Sequence, residues 1–118
     1  GECRGPEVRD VLTALNTGHD GGWATLHANS ARDVPARLAA LGALAGMSEA
    51  ALAAQAASAL DAVLHMRRDA SGHRGVAEVG VITREHGALS CEPALSVGVD
   101  GSVTEHQAWA TLAGRAGL

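Results

Sequence analysis

The sequence contains no lysine, phenylalanine or tyrosine, and the missing lysines exclude two kinds of chemistry. A phosphate-binding P-loop uses a lysine to reach the β- and γ-phosphates, and Schiff-base catalysis uses a lysine amine. Neither can be built from these 118 residues. All 9 basic residues are arginines, which we interpret as the codon bias of a GC-rich genome. Only 2 tryptophans supply aromatic bulk, so we expect a core of closely packed alanine, valine and leucine.

Basic residues, cysteines and long apolar runs are also few. The net charge is −4, and no basic run is longer than Arg67-Arg68, so direct nucleic-acid binding is not predicted. Cys3 and Cys91 lie far apart without a CxxC spacing, which argues against a disulfide framework or structural zinc and favours a reducing cytoplasm. No apolar stretch approaches the ~20 residues of a membrane span. The length corresponds to one domain.

Hydrophobic spacing and turn residues predict an alternation of helices and strands. Ser30 or Asp33 is expected to cap the second helix, Ser48 to cap the third, and Pro93 to interrupt the last strand. Helices are predicted over 6–16, from residue 30 or 33 to 44, over 49–60 and over about 104–113, and strands over 23–28, 62–68, 76–85 and 88–97.

This order predicts an α/β fold in which a small antiparallel β-meander follows parallel strands and helices. A lone buried strand over 23–28 needs parallel neighbours, which the preceding residues do not supply, so we expect the chain to be a piece of a larger domain. Glu2 is expected at the carboxyl end of a strand, where α/β sheets place their ligands.

Polar residues that could carry chemistry fall into three clusters, at Glu2 with Arg4, at 17–19 and at 25–29. If the first and last clusters end adjacent parallel strands, Glu2 and His27 approach the same crevice. A carboxylate and an imidazole placed there can position a water and sense an anion.

Other histidines and arginines have less specific interpretations. A zinc set of His19 and His27 with Cys3 or Glu2 is an alternative, although the spacing matches no HExxH helix. The remaining histidines are expected at the surface. Arg67, Arg68 and Arg74 fit a charged strand edge better than a phosphate or membrane site, and the alanine-rich helix over 49–60 fits close helix packing.

Residues 1–7, 15–21 and 25–30 together resemble three ordered motifs of the type II/IV secretion ATPases, with closest similarity to the CpaF/TadA branch. That branch drives tight-adherence pili and conjugation-related machines. Residues 1–4 match the element that closes the Walker B strand, and residues 17–19 and 25–29 match the His box. The similarity covers roughly residues 1–97.

The resemblance implies roles for individual residues. Glu2 would be the Walker B glutamate, which polarises the attacking water near Mg²⁺ and is the metal-associated residue. His27 would report the state of the γ-phosphate. Thr17, Gly18 and His19 would shape the same wall of the nucleotide site, and Arg4 matches the motif without an assigned role.

The resemblance also implies a fold, cofactors and partners. Residues 1–97 would form the C-terminal half of a RecA-like P-loop NTPase motor domain, and residues 98–118 a tail of uncertain structure. ATP and Mg²⁺ would be the cofactors. The complete enzyme would be a cytoplasmic homo-hexamer, peripheral to the inner membrane, that engages secretion or pilus platform proteins.

The Walker A lysine and glycines, the Asp box and the family's inter-subunit arginines have no counterpart in this chain. Because phosphoryl transfer depends on positioning and charge neutralisation, we expect no ATPase activity from the chain alone. Two alternatives stay open. One is a non-catalytic module that associates with an intact homologous ATPase, and the other is a small metal-dependent hydrolase using Glu2, His19 and His27.

Overall fold

The computed structural model describes residues 2–17 and 21–118. Two small sheets and four α-helices make up this mixed α/β structure, and a 3-10 helix over Ala31–Asp33 precedes the second α-helix. In chain order the elements are β1 (Glu2–Cys3), α1 (Val8–Asn16), β2 (Thr25–Leu26), α2 (Val34–Leu44), α3 (Glu49–Ala59), β3 (Ala62–Arg68), β4 (Arg74–Glu85), β5 (Ala88–Val97), β6 (Val103–Glu105) and α4 (Trp109–Arg115).

The first sheet is a parallel pair of two-residue strands, β1 and β2. The strand predicted over 23–28 is wrong in extent and in burial. Trp23 and Ala24 lie outside it, Thr25 is exposed and Leu26 is half-buried. Strand geometry requires a pairing partner, and within the described residues only Thr25 and Leu26 of this segment have one, opposite Glu2 and Cys3.

The main core lies between α1, α2 and α3, where small residues allow close helix packing. Leu12 and Leu52 are almost completely buried and Ala56 is fully buried, and Cys3 closes the same cluster. Gly42 shows how near the helices approach, because a Cβ there would lie 3.0 Å from Leu52 Cγ. This packing agrees with the predicted alanine- and leucine-based core.

Two capping predictions can be compared directly with the helix starts. The Ser48 hydroxyl accepts a hydrogen bond from the Ala51 amide at 3.1 Å, which confirms Ser48 as the cap of α3. Asp33 occupies the cap position of α2, with Pro35 in the first turn, but makes no side-chain cap hydrogen bond. Its carboxylate instead accepts from the Ser30 hydroxyl at 3.0 Å.

The second sheet is an antiparallel meander in the order β3-β4-β5-β6, and β3 and β5 have the predicted bounds. Pro93 does not interrupt β5, contrary to prediction. The register shifts between Val79 and Gly80, where Gly80 pairs with Pro93. A bulge of this kind tolerates a residue that lacks an N–H donor. Ile82 and Cys91 are buried beneath Ala31 on the inner face.

The C-terminal segment contains a strand and a helix rather than the single helix predicted over 104–113. Val103–Glu105 forms β6 along the edge of β5, and α4 begins only at Trp109. The guanidinium of Arg115 donates at 2.8 Å to the carbonyls of Asp61 and Ile82. These hydrogen bonds join α4 to β4 and to the residue that precedes β3. Among the described residues, no helix is both long enough and apolar enough to cross a bilayer.

Candidate functional site

Parallel pairing of β1 with β2 brings Glu2 and His27 together. Glu2 lies opposite Thr25, and the chain leaves β2 two residues later at His27. The carboxyl ends of the two strands therefore meet at one edge. There the Glu2 Oε1 atom lies 2.8 Å from His27 Nε2.

Arg4 binds the other oxygen of the same carboxylate. Its Nη2 lies 2.6 Å from Glu2 Oε2, and its Nε donates to that oxygen at 2.8 Å. The Arg4 hydrogen bond is the main reason that the pKa of Glu2 is lowered, and the charges of Arg4 and His27 act in the same direction. Glu2 in turn raises the pKa of Arg4. Glu2 is thus an ionised carboxylate that contacts Arg4 through one oxygen and His27 through the other.

The chain between β1 and α1 is held by Glu7, for which the sequence predicts no role. Glu7 Oε1 accepts from the Arg4 amide at 2.8 Å and from the Gly5 amide at 3.1 Å. These backbone hydrogen bonds lower the pKa of Glu7. In the sequence, the feature that could have indicated this role is a carboxylate directly after Gly5-Pro6. Side chains at such turns can accept hydrogen bonds from free backbone amides. Glu7 therefore helps to orient Arg4 toward Glu2.

A second unpredicted carboxylate fixes the loop that follows His27. Glu78 in β4 accepts from the Ala31 amide at 3.0 Å, although the two residues are 47 positions apart. This contact joins the beginning of the 3-10 helix to the meander. Local sequence carries no signal for it, because it arises from packing the meander beneath that loop.

The site opens to solvent on its histidine side. The Glu2 side chain is 26% exposed, whereas those of Arg4 and His27 are 77% and 88% exposed. Cys3, directly beyond Glu2, is buried, and desolvation raises the pKa of its thiol. The arrangement presents a fixed carboxylate beside an accessible imidazole, which together can orient a water molecule.

The middle predicted cluster is only partly described. Thr17 ends α1, and its hydroxyl donates to the Ala14 carbonyl at 3.3 Å, which is a local helix-end contact. Gly18 and His19 lie outside the described residues. Within the described part of the chain, no three metal-ligating side chains converge. The zinc set that includes His19 therefore stays a prediction.

Histidines and arginines away from this site make ordinary structural contacts. His106 Nε2 lies 2.7 Å from the Ser96 hydroxyl, and His73 Nδ1 lies 2.8 Å from the Ser71 hydroxyl. Arg67 donates to the Val97 carbonyl at 3.0 Å. Cys91 is a buried free thiol with its pKa raised to about 11, chiefly by burial.

Comparison with known proteins gives the class to which this chain belongs. Residues 1–110 match the family described as type II/IV secretion system protein. The match covers most of the chain, so the chain belongs to this family. It extends beyond Val97 and includes β6.

Two relatives come from Mycobacterium tuberculosis, one from strain CDC 1551 / Oshkosh and one from strain ATCC 25618 / H37Rv. Their names assign them provisionally to conjugal transfer. Each is 53% identical to this chain over 89 residues. The aligned segment is 75% of this chain and 25% of the relative, so the chain spans about a quarter of the length of these relatives.

Proposed function

We propose that this chain is part of an ATP-hydrolysing motor for type II/IV secretion or conjugal transfer, and that Glu2, Arg4 and His27 form one wall of its nucleotide site. The observation that carries the proposal is the ionised Glu2 carboxylate, held by Arg4 and His27 at the carboxyl ends of two parallel strands. Family membership supports the same interpretation. We further propose a RecA-like domain of the CpaF/TadA branch.

Each residue contributes a distinct property to the proposed reaction. Glu2 remains a carboxylate and accepts a hydrogen bond from the attacking water. Arg4, whose backbone amide donates to Glu7, keeps that carboxylate ionised and oriented. His27, at the open side, would respond to the γ-phosphate, and Thr17, Gly18 and His19 belong to the same proposed wall.

The proposed cofactors are ATP and Mg²⁺, which would supply the transferred phosphoryl group and neutralise its charge. The ionised Glu2 is an oxygen donor of the type that Mg²⁺ prefers, which fits this assignment. The chain has no lysine for a phosphate cradle. We therefore propose that activity requires the larger family architecture, a homo-hexamer at the inner membrane that engages secretion or pilus platform proteins.

A chimera tests this function in a setting where the rest of the enzyme is present. Residues 1–110 of this chain replace the corresponding segment of the Mycobacterium tuberculosis relative, and Mg²⁺-dependent ATP hydrolysis is measured. We expect the chimera to hydrolyse ATP and the isolated chain to be inactive. Glu2→Gln should lower kcat by about 10²-fold or more, because it removes the group that accepts the proton of the water.

The matched control is Glu105→Gln, which removes an exposed carboxylate in β6, far along the chain from the site. It should leave kcat within about twofold of the parent chimera. Full activity in the Glu2→Gln chimera would refute the proposed role of Glu2. Robust activity from the isolated chain would refute the proposed need for the larger architecture.

The two alternatives make different predictions. A non-catalytic module would co-purify with an intact homologous ATPase without binding nucleotide itself. A metal-dependent hydrolase would retain stoichiometric zinc after dialysis. A metal-free preparation would exclude the hydrolase.

A further inference from the structure

A small cavity bordered by basic side chains lies at one end of the meander. It has a volume of about 170 Å³ and lies between the turn that joins β3 to β4 and the turn that joins β5 to β6. Residues 97–99 and Gly101 line one side. The β3–β4 hairpin lines the other side with Arg67, Asp69, His73, Arg74 and residues 75–76. Neither Glu2 nor His27 borders this cavity, so it is distinct from the proposed nucleotide wall.

Two arginines of this cavity have no carboxylate partner among the residues that the structure describes. The ion pairs found there involve Glu2 and Asp69, and neither Arg67 nor Arg74 belongs to one. Arg74 instead lies directly opposite Arg68 in the register of β3 and β4, and like charges in such a pair repel each other. The sequence alone favours a charged strand edge for these arginines, whereas the structure brings two of them to one cavity.

The guanidinium of Arg67 is held in place at the cavity. Its Nη2 donates to the Val97 carbonyl at 3.0 Å, so the side chain extends from β3 toward the end of β5. Gly75 is the residue paired with Arg67, and a Cβ there would meet no atom within 4 Å. Paired residues share one face of a sheet, so this open space lies on the Arg67 face. A guanidinium has five N–H donors and this hydrogen bond uses one, which leaves others for a ligand.

Asp69 also borders the cavity, but its carboxylate is engaged by its own turn. Its Oδ1 accepts from the Ser71 hydroxyl at 2.6 Å, from the Ser71 amide at 2.9 Å and from the His73 amide at 3.0 Å. These hydrogen bonds, led by that of the Ser71 hydroxyl, lower the pKa of Asp69. The same hydroxyl lies 2.8 Å from His73 Nδ1, which leaves Nε2 as the ring nitrogen that can contact a ligand. Two guanidiniums therefore outweigh one carboxylate at this cavity.

We infer that this cavity binds the phosphate group of an anionic ligand. The planar fork of a guanidinium matches phosphate oxygens in both geometry and charge, and two such groups border the cavity. The volume is below the roughly 300–1,000 Å³ of pockets that enclose drug-sized ligands, so the cavity suits a single phosphate group. Free phosphate and a lipid headgroup both supply this chemistry. The inference rests on the basic cavity and not on the proposed ATPase function.

Titration of the chain with sodium phosphate tests the inference, and sodium chloride at equal ionic strength is the reference. Amide chemical shifts are followed by ¹H–¹⁵N NMR. We expect saturable shifts at residues 67–75 and 97–101 with phosphate and not with chloride. Co-sedimentation with phosphatidylglycerol vesicles, compared with phosphatidylcholine vesicles, tests the lipid headgroup as the source. Saturable shifts identify free phosphate as a ligand, whereas binding to phosphatidylglycerol vesicles alone identifies the headgroup.

Three substitutions at the cavity have different expected effects. Arg74→Gln should weaken binding by about tenfold or more, because it removes charge-assisted hydrogen bonds. Arg74→Lys keeps the charge without the planar fork, so it should recover only part of the affinity. Asp69→Asn should strengthen binding by about threefold or more, because it removes a negative charge while its side-chain oxygen can still accept the hydrogen bonds of the turn.

Arg84→Gln is the matched control. It makes the same change of charge at an exposed arginine of β4 that does not border the cavity. Because charges far apart on a protein surface are screened by salt, it should change the affinity by less than about twofold. The circular dichroism spectrum of every variant is compared with that of the parent chain, which separates loss of binding from loss of fold.

A loss of binding in Arg74→Gln that Arg84→Gln does not share, together with a gain in Asp69→Asn, would support the inference for either source of phosphate. Absence of binding to both phosphate and phosphatidylglycerol vesicles would overturn it. Equal losses in Arg74→Gln and Arg84→Gln would also overturn it, because general charge would then account for the binding. None of these measurements involves ATP hydrolysis, so a failure here is distinguishable from a failure of the chimera experiment.

Discussion

Gly80 occupies a position in β4 where a single methyl group should have a large effect. A Cβ at this position would approach Cys91 Sγ to well under 3.0 Å, a separation that real Cβ atoms essentially never show, and would lie 3.4 Å from Ala31 Cβ. Cys91 is buried in the same cluster as Ala31, so the added methyl group would press against a buried sulfur. We predict that Gly80→Ala destabilises the protein.

The size of the effect follows from comparing two glycines of one strand. Gly80→Ala overpacks a buried cluster, which typically costs about 1–3 kcal/mol. At Gly75, also in β4, an added Cβ meets no atom within 4 Å, and the backbone is outside the left-handed region. Gly75→Ala should therefore be neutral or stabilise by about 0.4–1 kcal/mol through the unfolded chain. The two variants should differ in sign.

Urea unfolding followed by circular dichroism measures both free energies. Replacing the sulfur should relieve the overlap, so Gly80→Ala combined with Cys91→Ala should be more stable than the sum of the single changes by about 0.5–3 kcal/mol. If Gly80→Ala matches Gly75→Ala, or if Cys91→Ala gives no relief, the packing described between β4 and β5 is wrong.

Two further predictions concern titrating groups. Both cysteines should resist Ellman's reagent at about pH 8 in the folded chain and react fully in urea. The reason is that both thiols are buried and that the pKa of Cys91 is raised to about 11. Rapid reaction of either native thiol would contradict this prediction. The lowered pKa of Glu2 means that its contribution to stability is present above the ordinary value of 4.5 and is lost as pH falls through the folded-state value. Glu2→Gln should therefore reduce the loss of stability as pH falls below 4.5, and an unchanged urea-midpoint profile would contradict the Arg4 and His27 contacts.

Strong local patterns explain what could be predicted of the fold. A change of hydrophobic period and the turn residues between the segments indicated β3 and β5, and Ser48 marked the beginning of α3. β6 was missed because it is a three-residue strand of exposed side chains, held by pairing with β5 rather than by its own pattern. The extent of β2 was overestimated because apolar residues such as Trp23 suggest a strand even where the part of the chain that the structure describes offers no partner.

The candidate site was also only partly predictable from the sequence. The meeting of Glu2 and His27 follows from where two parallel strands end, which sequence order and strand polarity can suggest. The Glu78 contact cannot be found by such reasoning, because it depends on how the meander packs against a distant loop. Arg4 was identified by its motif, but its contact with Glu2 required the turn that Glu7 stabilises.

The hydrogen bond from the Ala31 amide to Glu78 has a mechanical consequence. Glu78 lies within β4, which is paired on both sides by β3 and β5, so it is part of a stiff sheet. The amide that it holds is four residues beyond His27. A displacement of the meander would therefore move the Ala31 amide, which one short loop separates from His27.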